Sequence, residues 1–381
     1  MTSTSFFLHP VRFFLLIVAF SLFGLILIYD VSVAESLQTF GNPWHFAAKH
    51  AVWIALGMGA FIGTSVLPTS FWKKMAPAIF LGALVLLIAV LIPGIGQRIQ
   101  GAQRWIYLGP FGIQPAEITK LALIIFFASW LEKHQRFAPF LALTGMVFAL
   151  IMLQPNLSTA GIVVMIASLL YFLAGGNMKP LLLFGAVGSV ILLVLILAVP
   201  YRRQRMQTFL NPASDPLGKS YHIRQITIAL GRGGVWGQGI GLSKQKQQYI
   251  PEASSDSIFA IYAEETGLVG STLLIAAYGW LITLGYKTAQ QQEDRFRFLV
   301  ASGITTWIAL HVLLNLAAMA ALIPLTGIPL PLISYGGSHY LSFMAGLGIL
   351  AGMLRTHNTG ETTPRRSFTP RRSLAPRTSK R

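Results

Sequence analysis

The feature that most limits what this chain can fold into is its repeated long apolar runs. About 20 helical residues cross the hydrocarbon core of a bilayer, and stretches near that length recur here. Ten candidate spans fall at about 13–29, 48–67, 75–92, 115–131, 138–153, 158–174, 181–199, 257–286, 298–318 and 333–354. Inside lipid every backbone N–H and C=O must be satisfied within the protein, so runs of this length are expected to be helices. Composition agrees: of 381 residues 54% are hydrophobic and 11% charged, whereas a soluble domain carries about a quarter charged residues. The expected fold is an all-α polytopic membrane protein with about ten transmembrane helices. The first run, followed by "VSVA" before Glu35, has some look of a signal peptide. Its apolar stretch is too long for that, and it reads as an uncleaved anchor.

Charge placement sets the orientation. With the N-terminus inside, the short inside loops hold Arg12, Lys73, Lys74, Lys133, Arg136, Lys179, Lys287, Arg295 and Arg297, and the tail from Arg355 adds more. The short outside loops hold Lys49, Arg98 and Arg104. Excess Lys and Arg on one side marks the cytoplasm, so both termini are expected to be cytoplasmic. Residues 1–354 then form one transmembrane domain, with a large extracytoplasmic loop at about 200–256 between spans seven and eight. Residues 355–381, Pro-, Ser- and Arg-rich with "TPRRS" twice, are expected to be a disordered basic tail that adheres to anionic lipid. The formal charge of +17 therefore reads as membrane-facing, and no nucleic-acid partner is expected. With no cysteine, disulfides and thiolate metal sites are excluded.

Few residues are left for chemistry. "GRGGVWGQGIG" (231–241) lacks nucleotide-loop spacing and reads as a tight loop with exposed backbone. Of twelve acids, Glu132, Glu293, Asp294 and Glu361 are cytoplasmic, and Asp30 and Glu35 lie in the first outside loop. Glu117, Glu264 and Glu265 fall within spans, and Asp215, Glu252 and Asp256 lie in the long loop. Asp215, in "NPASDPLG", and Glu252, after Pro251, read as turns. Asp256 precedes the apolar "SIFAIYA"; it is a candidate helix N-cap and, equally, a carboxylate at the outer membrane surface. Glu264 and Glu265 are expected to meet Glu117 and Lys120 in a buried polar layer, structural or lining a cavity. Glu117 and Lys120 are i and i+3 on one helix face. Outside cations suited to an anionic ligand are Arg104, Arg202, Arg203, Arg205, Lys244 and Lys246.

Several stretches resemble the SEDS family of shape, elongation, division and sporulation proteins (FtsW, RodA, SpoVE). They are "GAQRWIYLGPFGIQPAEITKLAL" (101–123), "QPNLSTA" (154–160), "FLNPASDPLGKSYHIRQITIALGRGGVWGQGIG" (209–241), "YIPEASSDSIFAIYAEETGLVG" (249–270) and "PLTGIPLPLISYGGS" (324–338). "FGNPWHFAAKHAVW" and "GIGLSKQKQQYIPEA" are more similar to the division type, FtsW, than to the elongation type, RodA. The resemblance implies a peptidoglycan glycosyltransferase that polymerises lipid II, an undecaprenyl-pyrophosphate-linked disaccharide-peptide, on the outer face of the bacterial cytoplasmic membrane, at the septum for the division type. It implies a class B penicillin-binding protein and other division proteins as partners. It also assigns the essential aspartate to Asp256, the "RW" pair to Arg104 and Trp105, and the intramembrane acid and base to Glu117 and Lys120. A divalent cation, magnesium or manganese, is compatible with a pyrophosphate leaving group, although nothing in the sequence requires one. The chain departs from the family at "QPDLGT", which reads "QPNLST" with Asn156 and Ser158. "HTDFIFA" reads "SSDSIFA" with Ser254 for the histidine, and "SYGGSS" reads "SYGGSH" with His339. The competing readings are a lipid II flippase, with the buried Glu117, Lys120, Glu264 and Glu265 lining a path, an elongation-type polymerase, and a scaffold without activity.

Overall fold

The computed structural model describes residues 10–358 except Gln100, Pro110, 212–217, Lys219 and Gln248. Asp215 and the tail beyond Asn358 therefore lie outside the described residues. Each of the ten apolar segments is a helix. They are α1 (Pro10–Phe40), α2 (His45–Val66), α3 (Thr69–Ala89), α4 (Pro115–Leu131), α5 (Phe137–Met152), α6 (Leu157–Leu173) and α7 (Met178–Ala198), then α10 (Ile258–Gln290), α11 (Arg295–Met319) and α12 (Gly337–Asn358). Seven of these are long and apolar enough to cross a membrane. α4, α5 and α6 are shorter, at 17, 16 and 17 residues. Helix starts carry local signals: Pro115 opens α4, and Asn156, Asn177 and Asp294 cap α6, α7 and α11 with side-chain oxygens, each satisfying a backbone donor that the first turn leaves unpaired.

Three features depart from the sequence reading. The segment between spans seven and eight is not a featureless loop; it contains α8 (Pro200–Leu210) and α9 (Tyr221–Gly233). Between α3 and α4 lies a three-stranded antiparallel sheet in the order β1 (Gly96–Ile99), β2 (Ala102–Leu108), β3 (Phe111–Ile113). It is too short to show a pattern beside the apolar runs. Finally, α1 continues to Phe40 well past its apolar run, with Val31, Ser32 and Ser36 buried, and its Asp30 accepts from Lys246 at 2.7 Å.

α11 and α12 occupy the centre. Trp307 of α11 is fully buried and stacks on Phe343 of α12 at 4.1 Å. α12 also packs closely on α2. A Cβ at Gly348 would lie 2.3 Å from the Phe61 carbonyl, so only glycine permits this approach, a common device where helices associate in lipid. Thr64 Oγ1 seals the crossing by donating to the Ala345 carbonyl at 2.9 Å. α7 is the opposite case, with no buried residue along its length. These placements bring the loop before α10, the loop between α11 and α12, and α8 to one end of the bundle.

Candidate active site

Asp256 sits in the turn that enters α10 and is 8% exposed. It does not cap that helix. Ser257 holds the N-cap position and makes no side-chain capping bond, so the N-cap alternative for Asp256 falls away. The carboxylate is instead lodged among other groups. The Ser257 hydroxyl donates to Oδ1 at 3.4 Å, and Asn315 Nδ2 of α11 donates to the Asp256 carbonyl at 2.7 Å and to the Ile328 carbonyl at 2.8 Å. Burial raises the Asp256 carboxyl to about 6, helped by the charge of Glu252 and opposed by Ser257 and by Arg205 of α8. A carboxylate of this kind is ionised at neutral pH yet more basic than an exposed one. Glu252 itself is exposed with a φ of 52°, the turn residue that the sequence suggested.

The quoted motifs converge here through a chain of contacts. Arg104 on β2 donates from Nε to the Gln154 carbonyl at 2.9 Å and from its terminal nitrogen to the Pro155 carbonyl at 2.5 Å. Asn156 follows, and its Oδ1 accepts from Thr159 N–H at 3.2 Å. Ser158 donates to the Thr326 carbonyl at 2.8 Å, and a Cβ built on neighbouring Gly327 would stand 3.8 Å from Asp256 Oδ2. Tyr335 N–H closes the loop by donating to the Ser254 carbonyl at 2.8 Å. Asn156 thus acts as a cap, and an aspartate would cap the same way.

The outside cations divide in two. Arg205 donates to the Leu325 carbonyl at 3.0 Å and stands close enough to Asp256 to affect its charge. Arg202 folds back to the Leu195 carbonyl at 3.2 Å; Arg203 and Lys244 are exposed. Arg104 and Lys246, by contrast, hold the protein together, and Trp105 is half-buried in the sheet beside Gly112. Lys246 pairs with Asp30 at 2.7 Å and Glu265 at 3.1 Å.

The expected single polar layer is two separate ones. Glu117 pairs with Lys120 at 2.7 Å, His339 Nδ1 lies 3.0 Å from Glu117, and Lys120 Nζ lies 2.9 Å from His311 Nε2. Glu264 and Glu265 do not join them. Glu264 accepts from Ser243 and pairs with Arg232 at 2.9 Å, and Glu265 pairs with Lys246. The cause is the glycine-rich segment after α9, which lies against α10 and supplies nearer partners. Sequence reasoning also missed His222, His311 and Asn315. The last two sit four apart inside an apolar span, and polar groups at such positions are a functional signal, one that a survey restricted to acids passes over. Among the described residues no three His, Asp or Glu side chains converge as a metal-binding group.

Comparison with known proteins fits this geometry. The family described as cell cycle protein, FtsW/RodA/SpoVE, matches residues 11–359. A protein named "Probable peptidoglycan glycosyltransferase FtsW" from Geobacter sulfurreducens is 36% identical over 344 residues, covering 88% of this chain and 92% of that one. Stage V sporulation protein E of Bacillus subtilis is 35% identical, covering 87% and 93%. Among solved structures, a chain of a peptidoglycan synthase complex that coordinates polymerization and crosslinking superposes with a TM-score of 0.75 at 27% identity, covering 91% and 97%. The rod shape determining protein RodA of Thermus thermophilus superposes with a TM-score of 0.67 at 25% identity, covering 91% and 96%. The fold and these relatives define a multi-pass membrane protein of the cell-wall machinery. The chain belongs to the FtsW/RodA/SpoVE family.

Proposed function

We propose that this chain is a peptidoglycan glycosyltransferase of the division type, which joins lipid II units into glycan strands at the outer face of the bacterial inner membrane, at the septum. The observation that carries the reading is Asp256: a buried carboxyl raised to about 6, at the mouth of α10, where the quoted motifs meet. The FtsW-named relatives support the activity and the division type. The Lys and Arg distribution supports the orientation, with both termini cytoplasmic and the 200–256 segment outside.

In this reading Asp256 is the general base. The 4-hydroxyl of the acceptor sugar gives its proton to the carboxylate as its oxygen bonds to the anomeric carbon of the donor. The bond from that carbon to the pyrophosphate oxygen breaks, and undecaprenyl pyrophosphate leaves with the electron pair. A base whose pKa lies just below the working pH is both ionised and able to take the proton, an effect worth about 10²–10⁴-fold. Negative charge grows on the leaving group, and this reading assigns its stabilisation to the outside cations Arg202, Arg203 and Arg205 of α8, with Lys244. Arg104, Trp105 and Lys246 serve by holding the frame. The synthase complex among the structural neighbours supports a class B penicillin-binding protein as the crosslinking partner.

The test is to purify the full chain with the class B penicillin-binding protein of its own organism and supply labelled lipid II in detergent. Glycan strands are expected, and Asp256→Ala is expected to lower their rate at least about 10²-fold while the chain still elutes as a folded species. Undiminished polymerisation by that variant removes Asp256 from the mechanism. Transfer of lipid II across vesicles without strand formation supports the flippase reading instead.

A further inference from the structure

His222 belongs to α9 and has no part in the reaction as derived above. Its Nε2 lies 2.9 Å from Ser257 Oγ, which in turn lies 3.4 Å from Asp256 Oδ1. Imidazole, hydroxyl and carboxylate, from α9 and the turn into α10, thus form one connected line. We infer that His222 and Ser257 are a positioning relay that holds the Asp256 carboxylate in its ionised form and fixes its aim. The inference rests on Asp256 being the base.

The direction of the hydrogen bonds follows from what each group carries. A serine hydroxyl has one proton to donate. If that proton points to His222, the carboxylate loses it. If the imidazole presents Nε2–H to Oγ, the hydroxyl's only proton is left for Asp256, and each bond polarises the next. A neutral imidazole with its proton on Nε2 satisfies this arrangement. His222 is kept neutral in the expected working range, since burial and the charge of Arg205 lower it to about 4.

The relay has a specific task. Burial and Glu252 both favour the protonated carboxyl, and the groups that oppose them are the Asp256 backbone N–H, Ser257 and Arg205. From the remaining elements around Asp256, α11 supplies Asn315, which binds its carbonyl, and the loop between α11 and α12 supplies Tyr335, which bonds through its backbone. Without His222 the Ser257 hydroxyl is free to turn to another acceptor, and one of the few contributions favouring the charged form weakens.

The experiment uses the full chain in detergent and reads Asp256 in two ways. Carbodiimide modifies the protonated carboxyl, and fragmentation mass spectrometry places the adduct at Asp256 rather than Glu252. Labelling is followed across pH, alongside the acid limb of lipid II polymerisation. The wild-type midpoint is expected near 6, following the Asp256 carboxyl. Ser257→Ala and His222→Phe are expected to move both the midpoint and the limb upward by roughly one pH unit, the size of one hydrogen bond to a charged group at the weak end of its range. His222→Gln keeps an N–H donor and is expected to track the wild type, and it remains informative if the phenylalanine variant fails to fold. Midpoints that coincide for wild type, Ser257→Ala and His222→Phe overturn the relay. A shift in Ser257→Ala without one in His222→Phe overturns the part given to the histidine. Because labelling does not depend on turnover, a chain whose Asp256→Ala form still polymerises overturns the assignment of the base, while the labelling still judges the hydrogen-bond line.

Discussion

A carboxyl raised by burial sets function against stability at a single residue. An unfolded aspartate titrates at 3.8 and Asp256 in the folded chain at about 6, so the native state binds this proton more tightly than the unfolded state does. Stability from this group is therefore greatest below pH 3.8 and declines as pH rises to 6. The difference approaches ~3 kcal/mol, since one pKa unit corresponds to 1.36 kcal/mol. Asp256→Asn removes the charge and keeps the shape. It is expected to unfold at a higher temperature than the wild type at pH 7.5, to lose most of that advantage only below about pH 3.8, and to be inactive at both. Scanning fluorimetry in detergent at the two pH values checks this; an asparagine variant no more stable than the wild type at pH 7.5 would show that Asp256 is not held under strain of this kind. The wild-type acid limb should in turn rise through about pH 6, as more of the base becomes ionised.

The element that separates α10 into two parts is Gly267, with φ 66° and ψ −162°, a region open in practice to glycine alone. The break lets the segment after α9 lie against the helix. Gln238 and Gly239 N–H groups donate to the Glu264 and Glu265 carbonyls, each at 3.0 Å, and Leu268 and Val269 N–H groups donate back to Gly234 and Val235 carbonyls at 3.0 and 3.2 Å. A Cβ on Gly267 would fall 2.4 Å from the Gly237 nitrogen. Gly267→Ala is therefore expected to cost on the order of 3 kcal/mol and to lower the thermal midpoint well below that of the harmless control Gly279→Ala, since nothing lies within 4 Å of a Cβ at Gly279. The glycine-rich run was legible as a tight loop with exposed backbone because so many of its residues lack a Cβ. Its partner was not legible, since "AEETGLVG" continues the helical apolar pattern across the break. The same gap explains the misplaced partners of Glu264 and Glu265. Periodicity locates a carboxylate on a helix, but the nearest cation depends on how a loop some 20 residues earlier packs against it. Asp256 was legible for a different reason: topology left few acids outside the membrane, and its motif carried the resemblance. His222 and Asn315 had no such label.

At the scale of the whole molecule, the Glu117 layer joins helices far apart in the chain. Glu117 and Lys120 belong to α4, His311 to α11 and His339 to α12, and Lys120 stands 5.5 Å from the Trp307 ring. His339 is where the chain departs from the family's usual serine, and that departure contacts the buried acid directly. Lys120 is fully buried and Glu117 is 4% exposed, so removing one member strands the other. Glu117→Gln or Lys120→Met alone is expected to destabilise by about 3–5 kcal/mol, whereas replacing both leaves no uncompensated charge and should cost far less than the sum. The cycle is measured as thermal unfolding in detergent, with polymerisation of lipid II followed on the same samples. If the layer only fixes how α4, α11 and α12 pack, activity in the double variant recovers together with stability, because Asp256 and its neighbours see the same bundle. A double variant that is stable and inactive would mean that the charges themselves take part in the reaction, since packing would then have been restored without them. The contacts favour the first outcome. His311 Nδ1 reaches the Pro329 carbonyl at 3.5 Å and Asn315, one turn along the same helix, grips Asp256 through its backbone, so the layer meets the site through the positions of α11 and its following loop rather than through a charge placed beside the carboxylate.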